Sequence, residues 1–96
     1  MDVYTIQEVE THNKEGTSIW IVIDNTVYDV SSYIERDLHP GGNEVLYKYA
    51  GTDATKRFAE IHSKSAWYEL EQFKIGRLNE NVSFFRRMYD VISKLY

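Results

Sequence analysis

The chain has 96 residues and no cysteine, and this combination limits how it can become stable. A domain of this size buries a modest fraction of its surface and often needs a covalent or bound staple. Without cysteine, disulfides, thiolate metal sites and a cysteine nucleophile are all excluded. A bound cofactor is the staple that remains, and the lack of cysteine fits a reducing compartment.

The charge balance and the hydropathy exclude other classes of protein. A formal net charge of −4 argues against nucleic-acid binding, because contacts to phosphates demand a basic surface. Residues 1–5 lack the basic region and apolar run of a signal peptide, and no run of about 18 apolar residues could span a bilayer. We therefore expect a soluble, cytoplasmic domain without a transmembrane anchor.

Local patterns predict a small sheet with several short helices. Thr5 and Glu8 have the spacing of a capping box, so a helix is expected to begin there and to end near residues 12–16. Residues 19–23 and 27–30 are β-branched or aromatic and flank the turn-forming residues 24–26, which predicts a hairpin. Further elements are expected as helices around residues 45–49, from 52 to 61 and from 65 onward, a strand at 75–78 and an amphipathic helix at 84–95.

Two histidines lie at the ends of a predicted two-helix segment. His39 precedes Pro40-Gly41-Gly42 and His62 follows the second helix, so both imidazoles can face one cleft. The residues available to line this cleft are Val45, Leu46, Tyr49, Ala50, Phe58 and Ile61. Hydrated metal sites are usually walled by carboxylates, whereas an apolar cleft suits a large flat cofactor such as haem, whose iron accepts imidazole. For an arbitrary pair, the ordinary alternative is a turn contact for His39 and a surface position for His62.

An ordered set of motifs decides between these alternatives. The motifs are Glu8-Val9 with His12-Asn13, residues 20–23, residues 27–30, His39-Pro40-Gly41-Gly42, residues 50–55 with Phe58, His62-Ser63 with Ala66, and residues 73–78. Through these motifs, in this order, the chain resembles the cytochrome b5 family across residues 3–78. The resemblance implies an α+β, cytochrome b5-like fold, in which a small mixed sheet and short helices form a haem pocket. We expect this domain to cover residues 1–80 and the amphipathic helix over 81–96 to pack on it.

The resemblance also implies the cofactor and its ligands. It implies a noncovalent b-type haem with six-coordinate iron, whose axial ligands are His39 and His62. The sequence contains no Cys-x-x-Cys-His motif for covalent attachment of a haem. The other residues expected to bind the haem are Val45, Leu46 and Phe58 against the porphyrin, Tyr33 nearby, Ala50 in the cleft and Ser63 on a propionate. His12 is expected to be structural.

Two histidine ligands leave no open position on the iron, so electron transfer is the expected chemistry. We expect a monomeric electron carrier, not an enzyme, that passes one electron from a flavin-dependent reductase to a terminal redox enzyme. One alternative is a haem- or steroid-binding adaptor of b5-like fold without redox turnover. The last-ranked alternative is a non-haem metalloenzyme using His39, His62, a carboxylate such as Asp53 or Glu60, and Ser63 as nucleophile.

The sequence departs from the usual family pattern in three places. Two extra residues separate Val30 from His39, which predicts a longer loop. One fewer residue separates Phe58 from His62, a spacing that resembles the b5-like domains of nitrate reductases and lactate-oxidising flavocytochromes. Residues 35–64 hold five acidic and five basic side chains, so this segment is neutral and strong steering of cationic partners is not expected.

Overall fold

The computed structural model describes residues 2–14, 16–61 and 64–79. His62, Ser63 and the helix predicted for residues 81–96 lie outside the described residues, as does the side chain of Ile61. In chain order the elements are β1 (Asp2–Tyr4), α1 (Ile6–Glu10), β2 (Trp20–Ile23), β3 (Thr26–Asp29), α2 (Ser31–Glu35), α3 (Glu44–Tyr49), α4 (Thr55–Ile61), α5 (Lys64–Leu70), a 3-10 turn (Glu71–Phe73) and β4 (Lys74–Leu78).

The four strands form one mixed sheet in the order β1-β4-β3-β2. Strands β2 and β3 are an antiparallel hairpin, β4 runs antiparallel to β3, and β1 runs parallel to β4. Asp24 and Asn25 connect the hairpin with φ angles of 51° and 58°, which are the left-handed values of a two-residue turn matched to strand twist. Thr26, expected in the turn, instead pairs with Ile23 as the first residue of β3. The α+β class is confirmed.

Alternation along β2 divides the core between the two faces of the sheet. Ile21 and Ile23 belong to one buried cluster, whereas Val22 between them packs with Val9 and Leu78 in another. Successive strand residues point to opposite faces, so a single strand serves both clusters. Helix α1 supplies residues to the second cluster, and helices α2 to α5 cover the first. We call the face that bears Ile21 and Ile23 the helix-covered face.

The open edge of β2 is hydrogen-bonded to the segment that joins α3 to α4. Gly51 N–H donates to Trp20 O at 2.7 Å, Val22 N–H donates to Thr52 O at 3.0 Å, and Ala54 N–H donates to Val22 O at 2.8 Å. The Asp24 N–H adds a bond to Thr55 Oγ1 at 2.8 Å. Residues 51–54 therefore extend the sheet beyond its edge strand β2, and they hold α3 and α4 against this strand.

The structure confirms the predicted start of α1 and corrects its end. Thr5 Oγ1 accepts a hydrogen bond from the Glu8 N–H at 3.1 Å, as a helix cap does. The helix ends at Glu10, so His12 lies beyond it. The His12 ring stacks on the Trp20 ring with centroids 3.6 Å apart and an interplanar angle of 7°, and His12 Nδ1 lies 2.7 Å from Ser18 Oγ. These contacts are structural, as expected for His12.

Two elements were not predicted from the sequence. Strand β1 has three residues and pairs only with β4, more than 70 positions away, so no local pattern marks it. Helix α2 occupies the first half of the segment predicted as a long loop. It begins where Asp29 Oδ1 accepts bonds from the Ser31 N–H at 3.0 Å and the Ser31 hydroxyl at 2.6 Å. The longer connection before His39 thus holds a helical turn and a half.

We expect Gly51→Ala to destabilise the fold strongly. Gly51 has a φ of +74°, and a Cβ there would lie 2.8 Å from Asn13 Cβ and 3.3 Å from the Val9 carbonyl oxygen. The strained φ and the overpacking together should lower the free energy of unfolding by about 2–4 kcal/mol in urea denaturation. Gly16→Ala is the matched control, because Gly16 has a φ of +93° but no atom within 4 Å of its added Cβ. Equal losses in the two variants would contradict the close approach at Gly51.

Candidate functional site

A cavity of about 780 Å³, counted with its open mouth, lies between the helix-covered face of the sheet and the helices. The described lining residues are Ile21, Ile23, Val30, Tyr33, His39, Val45, Leu46, Tyr49, Ala54, Arg57, Phe58, Ala66, Glu69, Leu70 and Phe73. Most of them are aliphatic or aromatic, so the cavity suits a large apolar ligand.

A glycine-containing turn holds His39 on the cavity wall. The Gly42 N–H donates to His39 O at 3.0 Å, and His39 Nδ1 lies 2.8 Å from Gly42 O. Gly42 has a φ of +98°, a value that residues with a Cβ rarely adopt. A carbonyl oxygen can only accept, so Nδ1 carries the proton and the ring lone pair lies on Nε2. Imidazoles that bind metals usually donate their other N–H to a carbonyl or carboxylate, and His39 has such a partner in Gly42 O.

Asn43 ties together the chain on both sides of this turn. Its amide Nδ2 donates to Ile34 O at 3.0 Å, near the end of α2, and to Asp37 Oδ1 at 3.3 Å. Asp37 has a φ of 51°, so the chain turns sharply there before it reaches His39. Asn43 itself directly precedes α3. The amide thus fixes the distance between α2 and α3, and the turn bearing His39 is held between them.

The phenol of Tyr33 stays neutral at physiological pH. Its ring meets His39 edge-on with centroids 6.2 Å apart and Phe73 with centroids 5.4 Å apart. Burial, with a smaller contribution from the Glu69 carboxylate, raises the pKa of Tyr33 above its ordinary value near 10. The phenol therefore adds no negative charge beside His39.

The structure brings six of the residues predicted for the cleft around one cavity. The lining includes Tyr33, His39, Val45, Leu46, Tyr49 and Phe58. Ala50 is not among the described lining residues, and its side chain is buried in the core cluster of the helix-covered face. His62 and Ser63 lie outside the described residues, so their roles remain predictions.

Sequence reasoning missed two kinds of lining residue. Ile21, Ile23 and Val30 were assigned to strands, and the alternation of β2 could have placed the first two on one face. Arg57 and Glu69 gave no signal, because a charged side chain on a short helix ordinarily faces water. Only the packing of α4 and α5 against the sheet brings these two charges to the cavity.

Within residues 2–14, 16–61 and 64–79, no group of three or more His, Asp or Glu side chains is arranged to hold a metal ion. Asp53, one carboxylate considered for such a site, accepts from the Thr55 N–H at 3.0 Å at the start of α4. Among the described lining residues, the donor is the imidazole of His39, whose neutral ring has its lone pair on Nε2 and lies among apolar walls. These residues fit a haem, because iron accepts imidazole nitrogen and the walls suit a porphyrin.

An α+β domain with an apolar cavity and a backbone-held imidazole on its wall is a cofactor-binding domain. Residues 5–79 match the family described as "Cytochrome b5-like Heme/Steroid binding domain". The chain belongs to this family.

Named relatives and a solved structure agree with this assignment. Cytochrome b5 of Candida tropicalis is 44% identical over 77 residues, which cover 79% of this chain and 57% of that protein. The NADH nitrate reductase of Cichorium intybus is 40% identical over 75 residues, 78% of this chain but 8% of that protein. Cytochrome b558 of Ectothiorhodospira vacuolata, a prokaryotic homologue of cytochrome b5, superposes with a TM-score of 0.69 at 29% identity, covering 81% of this chain and 99% of that one.

The chain spans little more than half of the Candida protein and a small part of the nitrate reductase. In the part of the chain that the structure describes, no helix combines the length and the apolar character needed to cross a bilayer.

We expect Asn43→Ala to lower the free energy of unfolding by about 0.5–1.5 kcal/mol, because it removes the amide bond to Ile34 O, which keeps its bond from the Asp37 N–H at 3.0 Å. Asn43→Asp should cost more at pH 7, since it places a carboxylate against Ile34 O and the Asp37 carboxylate. This repulsion raises the pKa of the introduced carboxyl in the folded state, so the extra loss should disappear as the pH falls below about 4. Urea denaturation at both pH values measures these differences.

The exposed neighbour Glu44 provides the control, and Glu44→Ala should change the free energy of unfolding by a few tenths of a kcal/mol. If Asn43→Asp is as stable as the wild type at pH 7, the amide does not donate to Ile34 O and Asp37.

Proposed function

We propose that the protein is an electron carrier that binds one b-type haem noncovalently, with His39 and His62 as the two axial ligands. The observation that carries this proposal is the imidazole of His39, which lines an apolar cavity while its Nδ1–H is donated to Gly42 O at 2.8 Å. Membership of a haem- and steroid-binding family supports it. The assignment of His62 rests on the His62-Ser63 motif and on its place after α4.

His39 is prepared for ligation by its own turn. The bond from Nδ1–H to Gly42 O orients the ring and makes Nε2 a stronger electron donor to a metal. A bound haem supplies a one-electron couple at its iron. With His39 and His62 both holding its iron, the haem would have no position for a third ligand, so the protein would exchange electrons and convert no substrate of its own.

The cavity walls determine the polarity around the haem that would carry the electron. Val45, Leu46 and Phe58 exclude water from the cofactor, and Phe58 is held by an edge-on contact with Trp67 at a centroid distance of 4.7 Å. The neutral phenol of Tyr33 adds no charge of its own beside His39. Packed walls of this kind also keep the ligands in similar positions in both oxidation states, which favours rapid electron exchange.

The proposed partners are a flavin-dependent reductase as donor and a terminal redox enzyme as acceptor. The presence of a homologous segment within an NADH nitrate reductase supports a place between a nicotinamide-dependent reductase and a terminal reaction. We further propose that the carrier is a monomer and that it works in the cytoplasm, whose reducing conditions fit a sequence without cysteine.

The second candidate is an adaptor that binds haem or a steroid without redox turnover. The family description includes steroids, and the apolar cavity would accept one. This candidate gives no reason for an imidazole held with Nδ1–H on a carbonyl, so we rank it below the electron carrier.

An absorption spectrum of the purified protein, before and after dithionite, tests the proposed function. We expect sharp low-spin bands that shift on reduction and do not change with carbon monoxide, because both axial positions are taken. Carbon monoxide binding in the native state would show an open position and contradict the bis-histidine carrier. A colourless protein that also fails to take up added haem would favour the steroid-binding adaptor.

We expect His39→Ala and His62→Ala each to lower the haem content by at least about tenfold and to lower the melting temperature, because a ligand that binds only the folded state stabilises it. Haem content by the pyridine haemochrome method and thermal unfolding followed by circular dichroism measure the two effects. His12→Gln is the control, since His12 contacts Trp20 and Ser18 and does not line the cavity. Unchanged haem content in both alanine variants would refute the ligand assignment.

A further inference from the structure

The charged residues of the cavity are distributed unevenly. Among the described lining residues, Arg57 on α4 is the one lysine or arginine, and Glu69 on α5 is the one carboxylate. Both side chains line the cavity and are also exposed to solvent, so they lie at its mouth and not in its interior. The entrance therefore has a cation on one helix and an anion on another.

Among the described residues, no carboxylate forms an ion pair with the guanidinium of Arg57. The ion pair within 4 Å in this part of the chain joins Lys74 to Glu71. Arg57 directly precedes Phe58, whose ring lines the cavity and packs edge-on against Trp67. A rigid neighbour of this kind fixes the backbone of Arg57 at the mouth, while its five N–H donors remain suited to a carboxylate.

A porphyrin cofactor has an apolar body and two carboxylates on one edge. Its body gains free energy in the apolar cavity, but its carboxylates must stay in water or meet a cation. At this entrance Arg57 attracts a carboxylate and Glu69 repels one. The same charges would do nothing for a neutral sterol.

We propose that Arg57 binds a propionate carboxylate of the haem and, together with the repulsion from Glu69, fixes the edge of the porphyrin that faces the solvent. This inference rests on the proposed function and adds a binding residue to it. Arg57 thereby slows haem loss, and Glu69 sets the direction of approach.

The test uses Arg57→Gln, with Lys56→Gln as the matched control. Lys56 precedes Arg57 on the same helix and is exposed, but it does not line the cavity, so its loss changes the net charge equally. The full-length apoprotein of each variant is loaded with protohaem IX or with its dimethyl ester, which has no carboxylates. The rate of haem transfer to excess apomyoglobin is followed by absorbance at low and at high salt.

We expect Arg57→Gln to lose protohaem about two- to fivefold faster than the wild type at low salt, the range typical of one partly exposed ion pair. The difference should shrink in 1 M salt and vanish with the dimethyl ester. Lys56→Gln should match the wild type, and Glu69→Gln should lose protohaem more slowly.

Three results would overturn the role of Arg57 while leaving haem binding intact. These are equal loss rates for Arg57→Gln and the wild type, an equal effect of Arg57→Gln on both probes, or an effect of Lys56→Gln as large as that of Arg57→Gln. A wild-type protein that takes up neither probe would instead refute the proposed function, and this inference with it.

Discussion

The hydrogen bonds between β2 and residues 51–54 hold the helices in place over the sheet. Backbone groups of Trp20 and Val22 bond to Gly51, Thr52 and Ala54 at 2.7–3.0 Å, so the connection between α3 and α4 behaves as an additional strand. Because backbone groups buried at a sheet edge need partners, this pairing also satisfies the open side of β2. The position of α3 and α4, and hence of the cavity between them and the sheet, follows from it.

Strand β2 contributes side chains to both buried clusters of the domain. The side chains of Ile21 and Ile23 form the floor of the cavity, and Val22 between them packs on the side of α1. A cavity in a domain this small reduces the apolar contact on one face, and the dense second cluster remains to stabilise the sheet when the cavity is not filled. A cofactor that binds only the folded state would add to this stability, as the cysteine-free sequence suggested.

The site combines an imidazole in a fixed orientation with a charged entrance to the cavity. His39 is oriented by Gly42 O, and its turn is held between α2 and α3 by the amide of Asn43. Arg57 and Glu69 stand at the mouth of the same cavity. The imidazole determines what the site can ligate, whereas the entrance charges influence how a ligand with carboxylates sits. Residues 35–64 are neutral in sum, yet Arg57 within them and Glu69 beyond them place opposite charges at this mouth.

The sequence by itself determined the hairpin, the cap at Thr5, the turn at His39 and the family, because each depends on residues close together in the chain or on a motif. It also identified Val45, Leu46 and Phe58, because they are apolar residues between the two histidines and match the motifs of the family. Only the tertiary structure decided the three-residue strand β1, the pairing of residues 51–54 with β2, the clamp from Asn43 and the charges of Arg57 and Glu69. These features join residues that are distant in sequence, and their contacts exist only after the sheet and helices have packed.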